Sequence, residues 1–449
     1  MQMPENVRAL LLRLQESGYE AYAVGGCVRD SLMGTEPADW DICTSALPEE
    51  TKACFDGFRV IETGLKHGTV TVLYGGEPFE ITTFRHAGDY VNHRAPEQVS
   101  FVRSLREDLK RRDFTINAMA AGLDGGIRDP FGGQADLENG LIRCVGDADR
   151  RFQEDALRIL RAMRFASRLG FQVEEETEAA MERNRKLLLE ISGERIYKEL
   201  SGILMGQNAP QVLERYREIL RVVLPEIGPA IGFEQHSPYH DKDVWGHTAD
   251  AVGKSIPDLE IRWTLLLHDL GKPETFTMDS RGVGHFYGHP QRSEELAGQI
   301  MNRLHVDKAT ARNVCTMVGK HEGSAPVDKK HVRRWLGKLG PDLLLKLLEV
   351  KRADALAHVD TPGSRARYRD ILVFTDLTRQ VIREENCFRV KDLAVNGRDL
   401  MARGVPAGPE VGRWLERLLQ AVQDEQCANR REALLDWFET MRKGTLNAD

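Results

Sequence analysis

Two aspartates one residue apart, Asp39 and Asp41, stand near the end of the run YAVGGCVRDSLMGTEPADWDICT (22–44). On a strand, side chains alternate faces, so this spacing directs both carboxylates the same way. Paired carboxylates on one rigid face suit Mg²⁺, a hard cation that takes oxygen ligands and leaves its remaining positions to substrate phosphates. Upstream, Gly25 and Gly26 form a turn whose backbone N–H groups can approach a phosphate closely, and Arg29 and Asp30 complete the segment. The chemistry in prospect is phosphoryl-type transfer. A structural turn or a solvated strand end would use the same residues.

Further candidates follow along the chain. Glu80, in FEITTFR (79–85), falls on a predicted strand. There it would complete the metal site, one ion activating an attacking hydroxyl and a second neutralising the leaving pyrophosphate; the alternative is an ordinary exposed strand residue. Arg111, Arg112 and Asp113, followed by Asn117, offer guanidinium forks for phosphate oxygens and an acceptor for a ribose hydroxyl. Adjacent arginines are otherwise surface charge. Asp155 and Arg158, three residues apart, share one face of a predicted helix. Cytosine and adenine both present an amino donor beside a ring-nitrogen acceptor, whereas uracil and guanine present the reverse. An acceptor Asp155 next to a donor Arg158 would therefore take C and A and reject U and G, unless the two simply form an i,i+3 ion pair.

A second constellation lies downstream. His247, the pair His268-Asp269 in TLLLHDLGK (264–272), His289, His321 and Asp354 occur in the order of an HD-type metal hydrolase. Imidazole and carboxylate are good ligands for first-row transition metals. Ni²⁺, Mn²⁺, Co²⁺ or Mg²⁺ would serve, and the set has no gap in it.

The elements that must position these groups differ between the two halves of the chain. Up to about residue 140, β-rich runs alternate with Gly and Asx turns and predict a small mixed sheet with flanking helices. From Asp149 onward, apolar residues recur at helical spacing, as in LRILRAMRFASRLGF and DLLLKLLEVKRADALAHV. The expectation is an α+β fold: a head over residues 1–140, a helical neck over 141–235, an HD-like domain over 236–360 and a helical tail over 361–449. The 449 residues, 41% of them hydrophobic, suffice for about two to four domains. No apolar run approaches the roughly 18 residues of a membrane span, so no membrane partner is expected. Seven scattered cysteines without Cys-x-x-Cys spacing read as reduced thiols of a cytoplasmic protein.

A net charge of −7 argues against a nucleic-acid binder. Locally, however, Arg150, Arg151, Arg158, Arg161, Arg164 and Arg168 form one basic cluster, and Lys329, Lys330, Arg333, Arg334 and Lys338 form another. Each is either a phosphate-binding surface or a solvated helix face. In NGRDLMARGVPAGPEVGRWL (396–415), a Gly/Pro turn before a predicted helix makes either a phosphate site or a structural hairpin.

GGCVRD followed by DWDICT resembles the signature of the bacterial tRNA nucleotidyltransferase and poly(A) polymerase superfamily. ETGLKHGTVTV (62–72), FEITTFR (79–85), RRDFTINAMA (111–120), RFQEDALRILRAMRFASRLGF (151–171) and ERIYKEL (194–200) extend the resemblance in order across the first half of the chain. It implies a polymerase-β-like head, Mg²⁺ on Asp39 and Asp41, nucleotide binding by RRDFTINA, and an amino-acid template for base choice in EDALRILR, including Arg161. Within the superfamily the chain resembles the CCA-adding enzymes, which extend tRNA with CTP and ATP. GLKHGTVTV is closer to their version of that segment, and HAGDYVNHRAPEQV (86–99) looks like the loop of enzymes that add the terminal A. Some of these enzymes carry an HD domain active on 2′-, 3′- or cyclic phosphates. The rival expectations are a bacterial poly(A) polymerase and a metal-dependent phosphohydrolase whose head only binds nucleotide.

Overall fold

Helix α1 (Glu5–Glu16) opens the chain and buries Val7, Leu10, Leu11 and Leu14, a stripe at the three-to-four-residue spacing of one helix face. It covers a seven-stranded sheet of β1 (Ala21–Val24), β2 (Ile42–Thr44), β3 (Arg59–Ile61), β4 (Thr69–Tyr74), β5 (Glu77–Thr83), β6 (Ala120–Ala121) and β7 (Ile127–Arg128). The spatial order is β7-β6-β1-β2-β5-β4-β3. Gly75 and Gly76, both at positive φ, make the two-residue turn that joins β4 to β5. Among the described residues of this sheet only β2 and β5 pair in parallel, with Ile42 opposite Ile81. Helix α2 (Gly26–Leu32) leaves β1 through Gly25, whose φ of 85° is open to glycine and costly for any other residue.

This computed structural model describes residues 1–446 apart from 63, 66, 67, 87–89, 92–94, 97–99, 324, 325 and 385–388. It divides into two compact units, Met1–Gly228 with Arg303–Val306, and Pro229–Asn302 with Asp307–Asp449. The mixed sheet followed by helices matches the α+β expectation. The segment 86–99 falls largely outside the described residues.

Beyond the sheet, the first unit holds α3 (Leu105–Lys110), α4 (Ala148–Glu154), α5 (Leu157–Leu169) and α6 (Gly193–Leu204). Asp147 caps α4 by accepting the Arg150 N–H at 2.8 Å. Gly170, left-handed at φ 74°, ends α5. Ile196, Leu200 and Ile203 form the buried stripe of α6, and α6 packs on α5.

The second unit is helical: α7 (Val244–Lys254), α8 (Leu259–Leu267), α9 (His289–Arg303), α10 (Lys308–Lys320), α11 (Pro341–Leu356), α12 (Pro362–Glu384), α13 (Pro409–Gln423) and α14 (Arg431–Leu446). Its centre is α8, whose sequence LEIRWTLLL is mostly apolar and is buried from Ile261 to Leu267, Arg262 included. The tail has its own core, in which Trp414 meets Phe438 edge-on at 4.8 Å between ring centres. No helix among the described residues is long and apolar enough to cross a membrane.

Candidate functional site

Asp39 and Asp41 sit just before β2 rather than on it, because the strand begins at Ile42. The Asp41 carbonyl nevertheless accepts the Val24 N–H at 3.0 Å, which continues the β1 ladder. The register that pairs Ile42 with Ile81 carries back by one residue to bring Asp41 beside Glu80. Ile42 and Ile81 point into the core, while Asp41 and Glu80 are exposed on the opposite face. The Asp41 carboxyl is raised from its ordinary value, first by the protein around it, which desolvates it although the residue keeps an open face, and then by the charges of Asp39 and Glu80. Arg112 pulls in the other direction. Asp41, with the charges of Asp39 and Glu80 near it, offers carboxylate oxygens of the kind a divalent cation takes.

The arginines and Asn117 are wired to one another. Arg29 donates to the Asn117 Oδ1 at 2.6 Å, Asn117 Nδ2 donates to Asp113 at 3.1 Å, and Asp113 accepts from the Arg161 Nε at 2.8 Å. Burial alone would raise the Asp113 carboxyl; the guanidinium of Arg161, with Arg158 and Asn117, holds it well below the usual range. Asn117, expected as a free ribose acceptor, is buried with its amide committed at both ends. The Gly25 N–H, expected for phosphate, is given to the Met119 carbonyl at 3.1 Å; Gly26, the first residue of α2, is left at that helix N-terminus. A Cβ on Gly25 would lie 2.8 Å from the Arg112 Nη1. Arg111 and Arg112 converge on the buried Asp108, at 2.8 and 3.6 Å.

Asp155 and Arg158 do not share a helix face. Asp155 lies at the joint between α4 and α5, with extended backbone at φ −147° and ψ 101°. Its Oδ2 accepts from Arg195 of α6 at 2.8 Å. Arg158 is buried and bonded to Glu154 Oε2 at 2.9 Å and to the carbonyls of Arg151 and Arg111, each at 3.0 Å. Glu154, at the i,i+4 spacing, was legible as Arg158's partner; Arg195 stood unassigned in ERIYKEL. The ring of Phe165, which no motif announced, has the guanidinium carbons of Arg29, Arg161 and Arg164 at 5.1, 5.8 and 4.7 Å.

Both basic clusters are largely spent inside their own units. Arg150, Arg151 and Arg158 pair with Glu154, Arg161 with Asp113 and Arg164 with Glu199. Lys329 pairs with Glu384, Lys330 and Arg334 with Asp424, and Arg333 with Glu425. Near the tail, Asn396 and Asp399 cap the short helix Gly397–Met401 themselves, while α13 starts after Gly408 at φ 137°.

In the second unit the six predicted ligands converge. His268 and Asp269 follow the end of α8, His247 lies on α7, His289 opens α9, His321 caps α10 and Asp354 is on α11. All six are buried. His247 Nε2 lies 3.0 Å from Asp354, and His268 Nε2 lies 3.3 Å from Asp269. Burial would raise both aspartates, yet the facing histidines, with Lys272 beside Asp269 and Arg367 beside Asp354, hold them well below the usual range. Buried His268 Nε2 makes no hydrogen bond, while Asp269 Oδ2 has the Lys272 ammonium 2.7 Å away; imidazole and carboxylate gathered in this way suit a transition-metal cation. The cluster faces a cleft of about 790 Å³, also lined by Lys272, Arg281 and Arg367. Lys272 was within reach of HDLGK at i+3; Arg367, far along the chain, carried no signal.

Three family descriptions match the chain in order: poly A polymerase head domain over residues 21–143, probable RNA and SrmB-binding site of polymerase A over 170–231, and putative tRNA nucleotidyltransferase domain 2 over 288–438. The CCA-adding enzyme of Lactiplantibacillus plantarum is 36% identical, covering 97% of each chain. That of Geobacillus stearothermophilus is 36% identical over 96% of this chain and 95% of its own. The crystal structure of Bacillus stearothermophilus CCA-adding enzyme in complex with CTP superposes with a TM-score of 0.76 at 30% identity, covering 100% of both chains. The fold is thus that of a nucleotidyltransferase with a polymerase-type head and a helical remainder. Identity of this extent over the whole length decides the branch: the chain belongs to the CCA-adding enzymes.

Proposed function

We propose that this enzyme adds C, C and A to the 3′ end of tRNA from CTP and ATP without a nucleic-acid template. The terminal 3′-hydroxyl oxygen forms a bond to the α-phosphorus, the bond to pyrophosphate breaks, and the hydroxyl proton passes to solvent. The observation that carries this reading is the β2–β5 register that sets Asp41 beside Glu80 on the exposed face, with the charges of Asp39 and Arg112 near enough to act on the Asp41 carboxyl. Those three carboxylates would hold Mg²⁺, which when bound supplies charge neutralisation at the reacting phosphate. Arg29, Arg111 and Arg112, with Gly26 at the start of α2, would seat the triphosphate; Asn117, itself held by Asp113, fixes Arg29, and Asp108 fixes Arg111 and Arg112. Asp155 would read the base edge, while Arg158, bonded to Glu154 and to the carbonyls of Arg111 and Arg151, would hold the joint that presents it, with Arg161 braced by Asp113. The relatives support the substrates, since one solved relative holds CTP. The finer division into head, neck, HD-like domain and tail belongs to the same proposal.

Incorporation of radiolabelled CTP into tRNA lacking its CCA end tests the reading. Addition of two cytidines and, with ATP, one adenosine is expected; long adenosine tracts without CTP use would make it a poly(A) polymerase.

The second unit carries a second proposed activity, metal-dependent phosphohydrolysis, on the ground that six buried imidazole and carboxylate groups converge there. Ni²⁺, Mn²⁺, Co²⁺ or Mg²⁺ fits the donor set, and supplies Lewis acidity toward a phosphoester when bound. Lys272 and Arg367, beside the ligand carboxylates, would orient the substrate anion.

A further inference from the structure

We infer that Phe165 is a positioning residue for nucleotide addition, whose ring holds the guanidinium groups of Arg29, Arg161 and Arg164 by its electron-rich face; this rests on the nucleotidyl-transfer reading above. Their guanidinium carbons lie 5.1, 5.8 and 4.7 Å from the ring centre, all inside the roughly 6 Å over which a cation is drawn to an aromatic face. Cation–π pairs of energetic weight occur about once per 70–80 residues, so three on one ring mark a construction rather than a coincidence of packing. The cations come from two elements, Arg29 from α2 and the other two from α5.

Each guanidinium is also tied to a polar partner. Arg29 donates to Asn117 Oδ1 at 2.6 Å and to Asp30 Oδ1 at 2.8 Å, Arg161 Nε to Asp113 Oδ2 at 2.8 Å and Arg164 Nε to Glu199 Oε2 at 2.6 Å. An arginine bonded along one edge can still swing about that edge, and the ring supplies the second constraint. The ring is itself fixed. Phe114, next to Asp113 in RRDFTINA, meets it edge-on at 5.8 Å and 84°. Gly202 of α6 leaves room for the Arg164 stem, because a Cβ there would collide with Arg164 Cδ. Phe165 is 6% exposed, whereas Arg161 keeps 34% of its side chain open, so the ring acts through the cations it holds. Arg29 belongs to the proposed triphosphate seat, which CTP and ATP share. Loosening the ring's hold therefore weakens both nucleotides alike. Asp39 and Asp41 stand before β2, on a separate element, so turnover of bound nucleotide is spared.

The test replaces Phe165 in the full chain by mono-, di- and trifluorinated phenylalanine, which keep the ring's shape while draining charge from its face. KM and kcat are measured for CTP and ATP on tRNA lacking the corresponding 3′ residues. KM for both nucleotides should rise stepwise with fluorine number, to about tenfold for the trifluorinated ring. Throughout the series kcat should stay within about twofold, the pattern of lost ground-state binding, and the CTP-over-UTP preference should not move. Phe165→Leu, which removes the aromatic face, should raise KM further; if it misfolds by circular dichroism, the fluorinated series decides alone. A KM that stays flat across the series, or a fall in kcat with KM unmoved, would overturn the positioning role and leave Phe165 a packing residue. A wild-type chain that incorporates no CTP would overturn the nucleotidyl-transfer reading, and this role with it.

Discussion

Asp41 is beside Glu80 because Ile42 is beside Ile81. The parallel β2–β5 pairing buries the isoleucines on one face and leaves the carboxylates on the other, so the same apolar contacts that hold the sheet set the spacing of the acidic cluster. Replacing either Asp39 or Asp41 by Ala should cut CTP incorporation by more than about 100-fold, since the loss is of charge stabilisation at the reacting phosphate. Circular dichroism and tRNA binding should change little. Glu80→Ala should fall between these variants and wild type, measured as single-turnover rate.

Gly25→Ala should act through Arg112. A Cβ there meets Arg112 Nη1 at 2.8 Å, and the φ of 85° is strained for alanine. The strain alone costs about 1–3 kcal/mol. We expect a lowered unfolding midpoint in urea together with a higher KM for CTP, as the guanidinium moves away.

Base choice should separate from turnover at Asp155. Asp155→Ala is predicted to lower the CTP-over-UTP preference by at least about 100-fold, as expected where a polar site that excludes the wrong edge is removed. Arg195→Ala, which frees the Asp155 carboxylate without deleting it, should lower the preference by about tenfold. All four triphosphates are compared on tRNA ending before its CCA. An unchanged preference in Asp155→Ala would show that selection lies elsewhere.

The Asp113–Arg161 pair predicts a pH dependence of stability. The folded Asp113 carboxyl is held far below its unfolded value of about 4, so its contribution is complete above that pH and declines as pH falls below it. Asp113→Asn should therefore destabilise the protein at about pH 7, by roughly 3–5 kcal/mol as for a broken buried ion pair. The gap from wild type should narrow in urea titrations below about pH 4.

In the second unit, His268→Ala combined with Asp269→Ala should abolish metal-stimulated hydrolysis of 2′-, 3′- or cyclic nucleotide phosphates, a fall of at least about 100-fold. Addition of CTP to tRNA should be unaffected. Parallel assays with Ni²⁺, Mn²⁺, Co²⁺ and Mg²⁺ check it.

What the sequence disclosed followed from how local each signal is. Alternation and helical periodicity act over a few residues, so the mixed sheet and the helical remainder were legible. The ordered His and Asp set was legible too, because ligand type survives in one-dimensional order. Asp155 and Arg158 misled because i,i+3 spacing presumes an unbroken helix, whereas the chain straightens at Asp155 itself. The partners that fix the candidate site, Arg195 to Asp155 and Arg161 to Asp113, join residues 40 and 48 positions apart, and no short-range pattern encodes them. The occupied Gly25 amide was hidden for the same reason: its acceptor, Met119, arrives from β6's approach to β1.

Arg158 bonds the carbonyls of Arg111 and Arg151 as well as the Glu154 carboxylate. One side chain thus fastens α5 to the segment that carries Arg111 and Arg112. For anyone redirecting the enzyme toward other nucleotides, Asp155 and Arg158 are therefore unequal targets. If Asp155 reads the base as proposed, it is a replaceable tooth; Arg158 is the rivet of the frame, and its loss is expected to weaken binding of every triphosphate alike.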